Sequence, residues 1–411
     1  MPDDTQPGDT VVGLLAEIAD TGTDPQRGGY SRHVYSTSEL DLREWFLAHA
    51  GKRGLDTETD RNGILWAWWN PHSAPLRDAV LTGSHLDSVP GGGAFDGPLG
   101  VASALVALDE LQRRAVQPRR PLALAVFPEE EGSRFGIACL GSRLMTGATS
   151  ADRAAGLKDA DGVTFAEAAA AQGLDPRHLG RDDEALQRIG VFLELHVEQG
   201  RGLADLDAAV AIGSSILGHG RWKLTVTGQG NHAGTTLMTD RRDPMVVAAQ
   251  IVLAVRTVAS RHPSARATVG RLIPVPGGTN VIPSRVDLWL DVRHPSDAVT
   301  AEIVSDLHVA AEALAASEGC TATLREESLS PTVQFDANLR DRLAAALPGA
   351  PILDTGAGHD AGVLSSHLPT GMLFVRNPTG ISHSPEEEVG GDDAEAGAAA
   401  LATALECLLS S

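Results

Sequence analysis

The sequence predicts an α/β domain into which a smaller α+β domain is inserted. Continuous apolar runs such as Leu122-Ala123-Leu124-Ala125-Val126-Phe127 alternate with helical spacing in the first half. Such runs belong to sheets whose two faces are both covered by helices. After about Gly213 the pattern changes to half-exposed alternation, and after about Ser330 the first pattern returns. At 411 residues the chain has room for two domains, or for one large core with an insertion.

The elements follow in order. Residues 79–83 form a short apolar strand that ends in Gly83-Ser84-His85-Leu86-Asp87. Residues 99–111 have helical apolar spacing, and the strand 122–127 runs into Glu129-Glu130-Glu131-Gly132-Ser133-Arg134-Phe135. Residues 151–188, rich in Ala and Asp, read as a peripheral helical excursion without chemistry. The strand 190–195 ends at His196. The inserted part offers strands at 221–227, 267–275, 286–293 and 321–328, with helices at 244–260 and 297–316 between them. That order predicts a four-stranded antiparallel sheet with two helices on one face. A helix, the strand 372–375 and a C-terminal Ala/Leu helix complete the first domain. The expected boundaries are 1–212, 213–329 and 330–411.

Composition excludes several classes. A net charge of −21 argues against nucleic acid or an anionic membrane as a partner, because the general field repels phosphates. No apolar run approaches the roughly 20 residues of a spanning helix. The start, Met1-Pro2-Asp3-Asp4-Thr5, is acidic and unlike a secretory or transit peptide. Cys139, Cys320 and Cys407 are odd in number and far apart, so the expectation is a reducing cytoplasm without a disulfide framework. An anionic substrate then needs a local cation, which draws attention to Arg134 and Arg293. Lys52, Lys158 and Lys223 are the only lysines and none lies in a ligand-type motif, which weighs against metals bridged by a carbamylated lysine.

Imidazole and carboxylate recur in motifs placed where strands end. They are the two above, Gly93-Ala94-Phe95-Asp96-Gly97, and Glu194-Leu195-His196-Val197-Glu198-Gln199-Gly200, with Gly380-Ile381-Ser382-His383-Ser384-Pro385-Glu386 near the C-terminus. A donor set without thiolate suits one or two zinc or manganese ions doing hydrolysis. Taken singly, each motif has a plainer reading. His85 followed by Asp87 is otherwise a surface histidine near an aspartate, Asp96-Gly97 a turn, and the three glutamates a solvated acidic turn. In the ligand reading, Asp87 accepts from the ring nitrogen of His85 that a metal leaves free. Arg134 orients one of the glutamates, and adjacent acids divide labour between ligand and base. For Arg293 the plainer reading is pairing with Asp291 or Asp287; for His232 it is a turn cap.

With these motifs in place, the chain resembles the dinuclear-metal amidohydrolases of the aminoacylase and glutamate-carboxypeptidase superfamily. It is most similar to the branch of N-carbamoyl-L-amino-acid hydrolase, β-ureidopropionase and allantoate amidohydrolase. The resemblance runs from Arg32 to the C-terminal helix. His196 carries it, since peptidase-like members place a carboxylate there, as do Asn231-His232-Ala233-Gly234-Thr235-Thr236, Gly277-Gly278-Thr279-Asn280-Val281-Ile282-Pro283 and Gly356-Ala357-Gly358-His359-Asp360-Ala361. Leu237 departs from it, standing where the branch commonly has proline.

The resemblance implies a mixed-sheet, metallopeptidase-like catalytic domain whose insertion serves as lid and dimerisation domain. It implies two divalent ions, one held by His85, Asp96 and His196 and the other by Asp96, Glu131 and His383. Glu130 would be the general base and Asp87 the orienter of His85. His232, often reaching in from the other subunit of a homodimer, would stabilise the oxyanion. Arg293 would clamp the carboxylate of a small anionic ureido substrate, with Gln199, Asn280 and Gly358 as hydrogen-bonding neighbours. Allantoate, in purine-ureide degradation, is the first substrate expected and an N-carbamoyl-L-amino acid or β-ureidopropionate the next. A metallo-aminoacylase or dipeptidase, and an inactive homologue kept as a binding subunit, are the remaining alternatives.

Overall fold

The computed structural model describes residues 9–410, and the reading of Met1–Thr5 lies outside them. The chain divides into two compact units, Met1–Ser214 with Gln334–Ser411, and Ser215–Val333. The sequence places the joins at 213 and 329. In the structure the units meet after Ser214, inside the strand Val210–Ile216, and after Val333, beyond the strand Thr321–Ser330.

In the larger unit the strands up to the insertion are β1 (Asp56–Thr59), β2 (Leu65–Trp69), β3 (Ala79–His85), β4 (Leu122–Phe127), β5 (Ile189–Val197) and β6 (Val210–Ile216). Those of the insertion are β7 (Gly218–Thr227), β8 (Asn231–His232), β9 (Arg266–Val275), β10 (Val281–Ile282), β11 (Arg285–His294) and β12 (Thr321–Ser330). Then come β13 (Val333–Gln334), β14 (Ile352–Thr355) and β15 (Thr370–Val375).

The large sheet has the order β1-β2-β4-β3-β5-β15-β6-β13, with β14 on β6. Its centre is parallel, since β4, β3, β5 and β15 run the same way, while β2 and β6 flank them antiparallel. β3 and β4 are buried at every position, which is why they read as unbroken apolar runs. The helix Pro98–Arg113 packs on β3 and β5, and the helix Gly391–Leu409 packs beside it. Leu105, Leu108, Leu401 and Leu405 join the strand residues Val80, Leu124 and Leu193 in one core. Because the central strands are parallel, their carboxyl ends share one edge of the sheet, and chain leaving that edge builds the site.

The smaller unit has a four-stranded antiparallel sheet in the order β12-β7-β11-β9. Trp222, Leu224, Val226, Val286, Leu288, Leu290 and Val292 alternate along β7 and β11. They meet Val247, Ile251 and Val255 of the helix Pro244–Ala259, and Ile303 and Leu307 of the helix Asp297–Ser317. This is period-two burial against two amphipathic helices, as the sequence predicts. Residues 151–188 hold three short helices and one 3₁₀ turn, the helical excursion expected. Among the described residues, no helix is long and apolar enough to cross a membrane.

Candidate metal centre

Three ligand-type side chains converge from different places in the larger unit. His85 is the last residue of β3, and His196 lies one residue before the end of β5. Asp96 comes from the loop between β3 and the helix Pro98–Arg113. Its motif is therefore not at a strand end, as the sequence reading has it, but one residue before a helix N-cap. All three are buried. Asp96 Oδ1 lies 3.2 Å from His196 Nε2 and 3.5 Å from His85 Nε2. The two Nε2 atoms are 3.4 Å apart. Gly97 makes room for this, because a Cβ at its φ of +87° would stand 2.5 Å from Cε1 of His85.

The other oxygen of Asp96 faces a second group. Oδ2 is 3.5 Å from His383 Nε2, which in turn is 3.3 Å from Glu131 Oε2. The candidate ligand atoms within each of the sets His85, Asp96, His196 and Asp96, Glu131, His383 all lie within 4.8 Å of one another. His383 is the exposed member, on a loop after β15. Gln199, just beyond β5, donates to Asp96 Oδ2 at 2.9 Å.

Tautomers decide whether a cation suits this arrangement. His85 Nδ1 lies 2.9 Å from the carbonyl of Asp87, and His196 Nδ1 lies 3.0 Å from that of Val197. A carbonyl only accepts, so each Nδ1 carries its proton. In the neutral rings that bind metal, each Nε2 then presents a lone pair, and the two lone pairs face each other and a carboxylate. A divalent cation satisfies all of them, and the donor set of imidazole and carboxylate fits zinc or manganese.

Titration of the cluster points the same way. Burial pushes the His85 imidazole down, but Glu130, Asp96 and Asp87 outweigh it and hold its pKa well above the ordinary value. His196 is likewise opposed by burial and raised by Asp96. Burial opposes ionisation of Asp96, yet His196 and His85 hold it well below the usual carboxylate range. Glu131 is pushed well up by burial and then by the Asp96 charge. Protons thus collect where cationic charge is wanted.

The acidic turn is built differently from the expectation. The Asp87 carboxylate is 3.7 Å from His85 Nδ1 and does not take its proton. It accepts instead from the main-chain N–H groups of Glu130 and Glu131, both at 3.1 Å. Carbonyl and carboxylate of one residue therefore share the work, one orienting the ligand and the other clamping the turn. Arg134 also departs from its expected role. Its guanidinium pairs with Asp159 at 3.0 Å and donates to the Val34 carbonyl, while its backbone N–H, with that of Phe135, holds Glu129 Oε1. Glu129 is thereby a buried turn residue, its pKa pushed to about 8 by burial and then by Asp87. Glu130 belongs to neither ligand group. Its Oε2 stands 3.7 Å from His85 Nε2, and its Oε1 accepts from the Cys139 thiol at 3.4 Å.

The remaining predicted residues are shared between the two units. Gly358 is exposed in the loop after β14 of the larger unit. In the smaller unit, His232 and Asn280 are exposed at the β8–β10 pair, where Ala233 N–H donates to the Asn280 carbonyl. Arg293 lies on β11 with its Nε 2.7 Å from Asp291 Oδ1, the pairing that the plainer reading anticipates. Two site residues escaped the sequence reading. His359 is buried against His196, with ring centroids 4.4 Å apart, and lies inside a motif quoted above. Glu387 lies one residue beyond the quoted C-terminal motif and accepts from the N–H groups of Phe95 and Asp96.

The model of peptidase family M20/M25/M40 matches residues 81–406, which hold every candidate ligand named above. The chain belongs to this family. It is 35% identical over 398 residues to an N-carbamoyl-L-amino acid amidohydrolase of Geobacillus stearothermophilus, covering 96% of this chain and 97% of that one. It is 31% identical over 403 residues to an allantoate amidohydrolase of Escherichia coli, covering 95% of each. The crystal structure of an amidase of the hydantoinase/carbamoylase family from Burkholderia multivorans superposes with a TM-score of 0.87 at 32% identity, covering 97% of this chain and 96% of that one.

Proposed function

We propose that this family member hydrolyses the C–N bond of a linear ureido group at a site for two divalent ions. The observation that carries the reading is the Asp96 carboxylate, one oxygen facing His85 and His196 and the other facing His383. Glu130 stands beside the cluster without belonging to either ligand set. Divalent ions held there supply Lewis acidity, which acidifies water and polarises a carbonyl.

The chain's own residues do the rest. Glu130 takes a proton from the attacking water and passes it to the substituted nitrogen as the bond to the carbonyl carbon breaks. The products are an amine and carbamic acid, which falls to ammonia and carbon dioxide. We assign oxyanion stabilisation to His232, the substrate carboxylate to Arg293, and hydrogen bonding to Gln199, Asn280 and Gly358, on the resemblance of their motifs. A guanidinium fork suits a carboxylate bidentately. We also propose a homodimer formed through the smaller unit, on the same resemblance.

Allantoate is proposed first, on the overall resemblance of the chain rather than on any single residue. N-carbamoyl-L-amino acids are favoured by the relative at 35% identity, which is named for them. The test is ammonia release by protein supplied with zinc or manganese, from allantoate, N-carbamoyl-L-amino acids and β-ureidopropionate. N-acyl amino acids and dipeptides serve as comparison, followed by release of free amino acid. Ammonia from at least one ureido compound is the expected result. Silence on all three with cleavage of an acyl amino acid or dipeptide moves the activity to the aminoacylase or dipeptidase side.

A further inference from the structure

The loop that carries Asp96 is tied to the loop that carries His383 by a side chain outside both ligand groups. Glu387 is buried, and its Oε1 accepts the main-chain N–H groups of Phe95 and Asp96, each at 3.0 Å. The Ser382 hydroxyl lies 3.5 Å from its Oε2 and 3.4 Å from Asp96 Oδ2. Gly93 leaves space for the carboxylate, since a Cβ there would stand 2.2 Å from Oε1. A residue 291 positions away thus fixes the backbone from which Asp96 projects.

The two ligand groups differ in how they are supported. His85 and His196 sit in strands of a buried sheet, each with Nδ1 against a carbonyl. Asp96 and His383 both sit on loops, and His383 has a left-handed φ of +57°. Their approach depends on what joins those loops. Glu387 is placed to do that, because its own loop is the His383 loop and its hydrogen bonds end on Asp96.

We propose that Glu387 is a positioning residue that pre-assembles the half of the centre formed by Asp96, Glu131 and His383. The inference rests on the two-ion reading. Removing the tie loosens Asp96, which both ligand groups share, but the first keeps His85 and His196 on their strands while the second also loses the join between the Asp96 and His383 loops. Groups that orient ligands in this way typically contribute about 10–100-fold to metal affinity.

The test counts ions. Wild type, E387A and E387Q are stripped, dialysed against zinc or manganese over a concentration series, and analysed for bound metal by mass spectrometry. E387A is expected to bind one ion within a few-fold of wild type, through His85 and His196, and the second about 10–100-fold more weakly. E387Q keeps an oxygen that accepts both N–H groups and is expected to bind both ions within a few-fold of wild type. Should E387A not fold, G93A gives the same readout, since its added methyl takes the carboxylate's place. Unchanged binding of both ions in E387A or G93A overturns the proposal, as does equal weakening of both. A wild-type chain that takes up only one ion overturns the two-ion reading itself, and this inference with it.

Discussion

Glu130 and Glu131 are neighbours in sequence with different surroundings, because the turn after β4 sends their carboxylates apart. Glu131 reaches His383 at 3.3 Å, while Glu130 lies 3.7 Å from His85 and against the Cys139 thiol. E130Q is therefore expected to keep its metal and lose about 10²–10⁴-fold in turnover, the usual worth of a general base. Bound metal and ammonia release measured on one sample check this, and a variant that loses its metal reverses the roles of the two glutamates. The donor types were legible because five imidazole and carboxylate motifs together are improbable by accident, although each alone is weak. The hydrogen bonds among them were not. Sequence does not say whether the carbonyl or the carboxylate of Asp87 meets His85, nor that Arg134 turns toward Asp159. Glu387 carried no signal except its nearness to the His383 motif.

Long elements with a clear apolar pattern were legible and short ones were not, while the helix Thr37–Lys52 and the strand Val210–Ile216 went unread. β3, β4, β5 and the two helices of the smaller unit announce themselves by unbroken apolar runs or by amphipathic spacing. β1, with the sequence Asp-Thr-Glu-Thr and every residue exposed, has no such pattern, and β8, β10 and β13 are two residues each. Their pairing comes from tertiary context. In the smaller unit β9 is an edge strand, and Val246, Val252 and Leu253 are exposed on the adjoining helix, Leu253 by 70%. An unpaired edge beside exposed aliphatic side chains supports the proposed homodimer. Sedimentation should show wild type as a dimer and L253D shifted toward single chains. A wild-type protein that sediments as a fully active single chain removes the dimer from the account.

At the scale of the whole molecule, the mixed sheet gathers parallel strand ends at one edge, and the histidines and acids of the larger unit collect there. Loading the centre with metal must displace protons from His85 and His196, which neighbouring carboxylates hold above their ordinary pKa, and from Glu131, which burial raises. Those groups bind metal only when deprotonated, so affinity rises with pH and loading releases protons. The most direct test titrates metal-free protein with zinc or manganese near neutral pH, following bound ion, released protons and ammonia formed from the best ureido substrate. The account predicts protons released on loading, and ammonia formation that is absent without metal and complete at two ions per chain. Full activity in the metal-free protein, or saturation at a single ion, would contradict it.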